Sequence, residues 1–88
     1  MERLLHQFEE TFSGRAPETY RVYVYGRSRE HDTWQGWLVF ERLSDGRRLP
    51  TPVETTQPTA EAITYWATGL TSAYFDGALE RALDAANT

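Results

Sequence analysis

At 88 residues, with 40% apolar and 14% aromatic side chains, the chain holds enough hydrophobic material for one small packed domain spanning residues 1 to 88 and too little length for two. The absence of cysteine excludes disulfides, zinc ribbons, iron–sulfur clusters and thiol nucleophiles. A formal charge of -4 disfavours non-specific nucleic-acid binding, which needs a concentrated positive surface.

That average conceals a division. Residues 15 to 48 carry 7 Arg against 5 acids, whereas the segments on either side are acidic. All 9 basic residues are Arg, which genome composition explains more simply than a demand for planar bidentate contacts. No apolar run approaches the roughly 20 residues of a membrane span, and the N-terminus turns acidic at Glu9-Glu10 where a signal peptide would stay apolar. The expected location is the cytoplasm.

Leu4 or Leu5, Phe8 and Phe12 recur at intervals of three or four, which predicts a helix over residues 2 to 12. Ser13-Gly14 stops it, with Gly14 as a left-handed cap, and Ala16-Pro17 keeps the helix from resuming. Residues 20 to 27 are rich in β-branched and aromatic side chains and predict a strand. Tyr20, Val22 and Val24 share one face of it; Arg21, Tyr23, Tyr25 and Arg27 share the other. Residues 28 to 33 form the turn.

Residues 34 to 43 predict a central strand, with Trp34, Gly36, Leu38 and Phe40 on one side and Gln35, Trp37, Val39 and Glu41 on the other. Gly36 between two Trp marks a bulge or a close backbone approach. Asp45-Gly46 predicts a tight hairpin turn. A third strand over 47 to 55 is interrupted by Pro50 and Pro52, which assigns it to an edge. Helices follow at 59 to 68 and 72 to 86, or as one helix bent near Gly69, with Thr56 or Thr59 capping the first and Thr71 or Ser72 the second.

The predicted fold is α+β, an α-β-β-β-α two-layer domain in which a three-stranded antiparallel meander packs on the C-terminal helix. This order is similar to that of double-stranded RNA-binding domains, and the segment 20 to 68 is similar to HicB-type antitoxins. The first resemblance implies RNA binding through a basic start to the last helix. Here that start reads Pro58-Thr59-Ala60-Glu61-Ala62, and neither family is identified from these residues.

No nucleophile elbow, phosphate-binding glycine loop or His-Glu-x-x-His motif is present, so no catalytic residue and no cofactor is expected. His6 before Glu9 and Glu10, and the run Glu30-His31-Asp32, read as a helix-surface pair and a solvated turn rather than as metal sites. Tyr65, Trp66, Tyr74 and Phe75 crowd around Gly69-Leu70 and read as core.

The candidate binding residues are Arg21, Tyr23, Tyr25, Arg27 and Trp37, extended by Arg42 or Arg48, because Tyr, Trp and Arg bury large areas while keeping directed donors. The expected function is non-covalent protein binding or self-association through this face, with homodimerisation as one form. Binding of single-stranded nucleic acid or RNA, and a purely structural domain of a larger protein, are the alternatives. In the bland alternative, the first helix covers the face through Leu5, Phe8 and Phe12 and leaves no site.

Overall fold

In the computed structural model, residues 1–14 and 17–87 are described, and the expectation placed on Ala16 lies outside them. The chain forms β1 (Glu2–Gln7), β2 (Tyr20–Arg29), β3 (Thr33–Arg42), β4 (Arg48–Pro50), β5 (Thr55–Gln57), α1 (Ala60–Thr68) and α2 (Ser72–Ala86). All pairings are antiparallel, in the order β1-β2-β3-β4, with β5 sharing the outer edge of β3. The class is therefore α+β, with five strands where three were expected.

The ladder between β2 and β3 runs unbroken from Tyr20↔Arg42 to Arg29↔Thr33. Strand alternation sends Tyr20, Val22 and Val24 into the core, where they meet Leu38 and Phe40 from β3, Leu49 from β4, Ile63 and Ala67 from α1, and Leu79 and Ala82 from α2. Both helices thus lie on one side of the sheet.

The predicted N-terminal helix is absent, and the chain begins with a strand. Leu4, Leu5, Phe8 and Phe12 do have helical spacing, but an isolated helix of this length is marginal in water. Pairing with β2 instead satisfies a ladder that would otherwise end the sheet bare. The register jumps from Leu4↔Tyr25 to His6↔Val24, a bulge that lets Leu5 reach the core while Leu4 and Gln7 stand beside Tyr25 and Tyr23 on the opposite face. Pairing continues beyond β1: Phe8 N–H donates to the Val22 carbonyl at 3.1 Å, and Phe12 and Tyr20 exchange two backbone bonds of 2.8 Å. Gly14 has no helix to cap, and the order shared with double-stranded RNA-binding domains loses its first element.

The expected proline-interrupted edge is real but divided in two. Between β4 and β5, Thr51 N–H donates to the Leu38 carbonyl at 2.8 Å, and the Thr51 hydroxyl accepts the Leu38 N–H at 3.0 Å while donating to the Pro52 carbonyl at 2.8 Å. A side-chain oxygen here takes the place of a strand carbonyl. Glu54 N–H then donates to Gly36 O at 2.8 Å and returns the chain to the ladder.

Gly36 sits opposite Gly26, and a Cβ at Gly36 would lie 2.9 Å from Ile63 Cγ2. The close approach expected at Gly36 is thus α1 resting on the sheet through Ile63. The two helices are separate, and their caps are Thr59, accepting from Ala62 N–H at 3.0 Å, and Thr71, accepting from Tyr74 N–H at 3.3 Å. Trp66, Tyr74 and Phe75 pack against the core as expected, whereas Tyr65 is 82% exposed. The helical period carries Tyr65 off the apolar stripe of α1 that Ile63 and Ala67 define.

A polar clamp fixes α2 to the segment between β4 and β5. Arg81 donates from Nη2 and Nε to the two Glu54 oxygens at 2.7 and 3.0 Å, and the Tyr74 hydroxyl donates to Glu54 Oε1. The Glu54 side chain is only 5% exposed. Burial pushes its carboxyl up, but the bonds from Arg81 and Tyr74 and the Arg81 charge outweigh this and hold it below the ordinary carboxylate value. Burial, together with hydrogen bonding to Glu54, pushes the Tyr74 phenol up to about 12.

Two outcomes follow from these contacts. Thr51→Val keeps the shape but leaves the buried Leu38 N–H without its acceptor, and costs about 1 to 3 kcal/mol, measured as a lower denaturant midpoint at unchanged slope. The raised Tyr74 pKa means that its contribution is complete below the unfolded-state value near 10 and disappears as pH rises through about 12. Wild-type stability therefore falls more steeply than that of Tyr74→Phe between these values in chemical denaturation at alkaline pH.

Candidate functional site

The alternation that fills the core places Arg21, Tyr23, Tyr25 and Arg27 on the opposite face of β2. Register brings Glu41, Val39, Trp37 and Gln35 of β3 beside them in that order. From the flanks, β1 contributes Leu4 and Gln7, and β4 contributes Arg48 opposite Glu41 and Pro50 opposite Val39. Among the described residues no helix crosses this face. The covering layer of the bland reading does not form, because its residues are in β1 and in the connection to β2, with Phe8 and Phe12 packed on Phe75 of α2 at ring separations of 5.1 and 5.6 Å.

All five sequence-assigned residues, Arg21, Tyr23, Tyr25, Arg27 and Trp37, therefore share one surface. Their chemistry is more closely knit than alternation alone would suggest. The Tyr25 and Trp37 rings stack at 6.3 Å with an 18° interplanar angle, and the Arg27 guanidinium lies 5.2 Å from the Trp37 ring centre. Arg27 Nε and Nη2 both donate to Gln35 Oε1 at 3.3 Å, which holds the guanidinium over the ring. Arg48 spans the other two rings, 4.8 Å from Tyr23 and 5.8 Å from Tyr25. Its Nη2 donates to the Tyr25 hydroxyl at 2.9 Å and its Nη1 to Glu41 Oε2 at 3.4 Å.

Glu41 closes the network by accepting the Tyr23 hydroxyl at 2.8 Å. That hydrogen bond is the main reason the Tyr23 phenol titrates above its ordinary value, with burial and the Glu41 charge adding to it against the nearby Arg48 and Arg21. Trp37 is only 7% exposed although no layer covers its face, since Arg27 and Tyr25 occupy its two sides. The side chains of Arg21 and Arg29 make no hydrogen bond or ion pair among the described residues.

Of the two possible extensions, Arg48 belongs to the surface and Arg42 does not. Arg42 is paired with the core-facing Tyr20 and is tied to Asp45 by bonds of 2.9 and 3.1 Å. The bond from Arg42 and the Arg47 backbone N–H hold the Asp45 carboxyl down at about 2. Glu41 and Gln35 were not singled out as functional residues by sequence reasoning. The Asp45-Gly46 signal alone would have misplaced Glu41, because a two-residue turn there pairs it with Pro50, whereas the hairpin closes through a four-residue loop in which Arg42 N–H donates to the Arg47 carbonyl and Glu41 stands opposite Arg48.

His6 is in β1 rather than on a helix, and meets Phe8 edge-on at 4.8 Å. Glu30, His31 and Asp32 form the exposed tip of the β2–β3 hairpin, where His31 and Asp32 adopt left-handed φ values of 62° and 56°. Among the described residues, no group of three or more His, Asp or Glu side chains is placed to hold a metal, and no helix is long and apolar enough to cross a membrane. An open cleft of about 480 Å³, lined in part by Phe8, Phe12, Leu70 and Phe75, lies away from the Arg/Tyr/Trp surface. No protein-family model, curated protein or solved structure matches this chain significantly.

The Glu41 network has a direct spectroscopic consequence. In Glu41→Gln the acceptor keeps an oxygen but loses its charge, so the Tyr23 phenol titrates lower than in the wild type, toward the ordinary tyrosine value. An NMR titration of the Tyr23 Cζ resonance reads the displacement.

Proposed function

We propose that the protein is a non-covalent protein-binding module and that the open sheet face is its contact surface, with Arg21, Tyr23, Tyr25, Arg27 and Trp37 at its centre and Arg48 completing it. The observation that carries this reading is the combination of an uncovered sheet face with a dense network of Tyr, Trp and Arg side chains. These residue types dominate binding energies at protein interfaces, because they combine large buried area with directed donors. The core on the other side of the sheet is already filled by α1 and α2, so the face is not required for internal packing. The proposed action needs neither a reacting group nor a cofactor, and a cysteine-free chain suits the reducing cytoplasm. Exposed Leu4 beside Tyr25 extends the surface toward β1, where a second copy of the chain is one eligible partner.

A photo-reactive residue at position 7, exposed and adjacent to Tyr23, tests the assignment in living cells against the same residue at position 65 on the helical side. Position 7 is expected to yield a discrete protein adduct and position 65 none. Arg21→Glu combined with Tyr23→Ala is expected to reduce the adduct at least roughly tenfold, with the circular dichroism spectrum unchanged. No adduct at position 7, or a yield unaffected by the double variant, would refute the assignment.

A further inference from the structure

We infer that the open face selects an acidic, extended polypeptide segment, whose alternate carboxylates are received by the guanidinium groups along β2, with Arg27 seated on Trp37 and the Arg21 and Arg29 side chains free of internal partners; this rests on the reading of the face as a protein-binding surface. The basis is which parts of the network point outward. Single-stranded nucleic acid binds by laying bases on exposed ring faces. Here those faces are occupied: Arg27 lies over Trp37, Tyr25 stacks on Trp37, and Arg48 lies over Tyr23 and Tyr25. The rings act as supports, and they hold the guanidinium groups in place.

Charge on the face points the same way. Arg21, Arg27, Arg29 and Arg48 outnumber Glu2 and Glu41, in a chain whose overall charge is -4. The surplus is local and divided, because Glu41 sits between Arg21 and Arg48 and interrupts any continuous positive track for a phosphate backbone. Discrete carboxylates suit it better, since each guanidinium presents a fork of donors that matches one carboxylate. Arg27 and Arg29 are alternate residues of β2, about 7 Å apart along the strand, which equals the spacing of alternate side chains in an extended peptide. Neither Arg21 nor Arg29 has an internal partner to give up on binding.

The inference is tested by titrating the intact protein, observed by NMR at the Trp37 indole N–H, with a short peptide alternating Glu and Ser, with its Gln/Ser counterpart and with single-stranded oligothymidylate. The Glu peptide is expected to shift Trp37, with an affinity that weakens as salt is raised, whereas the other two leave it unmoved. Arg21→Gln combined with Arg29→Gln, which removes no hydrogen bond of the fold, is expected to weaken binding by roughly an order of magnitude. Arg27→Gln provides a second variant aimed at the guanidinium over Trp37. Equal response to the Glu and Gln peptides overturns the inference, and so does tighter binding of the oligonucleotide. Where no peptide binds but position 7 still yields its protein adduct, the partner is not acidic and the interface stands; where the adduct is missing too, the underlying reading falls with it.

Discussion

The unbroken antiparallel ladder between β2 and β3 is the constraint from which the rest of the molecule follows. A slip of β2 by one residue against β3 would turn Val22 and Val24 outward and bring Arg21 and Arg27 into the core beside Leu38 and Phe40, at a cost no small domain survives. The same register sets Gly26 against Gly36, and the absence of two Cβ atoms is what lets Ile63 and α1 settle onto the sheet. Core packing, helix placement and the composition of the open face are thus consequences of one pairing.

A two-layer fold leaves one sheet face in water, and this chain fills that face with aromatic rings overlaid by arginines. Arg27 and Arg48 lie flat on Trp37, Tyr23 and Tyr25, with their stems over apolar surface and their donors directed to Gln35, Glu41 and the Tyr25 hydroxyl. Each cation–ring contact is worth about 0.5 to 1 kcal/mol at an exposed site, so the arrangement holds its geometry without becoming a second core. The helical layer is of opposite character, with Glu61, Asp76, Glu80 and Asp84 against Arg81 alone. Arg81 is engaged by Glu54, a clamp that joins α2 to the segment between the short strands β4 and β5.

Particular residues show why parts of this fold were legible in advance. Period-two alternation from Tyr20 to Arg27 named both faces of β2, Asp45-Gly46 named a turn, and Thr59 and Thr71 capped two helices at the expected places. Each of these is a local signal carried by residues whose backbone preferences agree with the final structure. The N-terminal segment was misread because its leucines and phenylalanines satisfy a helical period, while the decisive fact was the bare edge of β2, a partner distant in sequence. The Glu54–Arg81–Tyr74 clamp was equally invisible, since it joins residues 20 and 27 positions apart.

The sequence by itself determined the class of fold, the central hairpin, the two capped helices and the company that Arg21, Tyr23, Tyr25, Arg27 and Trp37 keep, because strand and helix periods are properties of neighbouring residues. Tertiary structure alone decided that the chain opens with a strand, that the Arg/Tyr/Trp face therefore lies bare, and that its rings are overlaid by Arg27 and Arg48. Those outcomes depend on which edge a segment pairs with and which side of the sheet the helices take, and such choices are made by long-range hydrogen bonding and packing rather than by local preference.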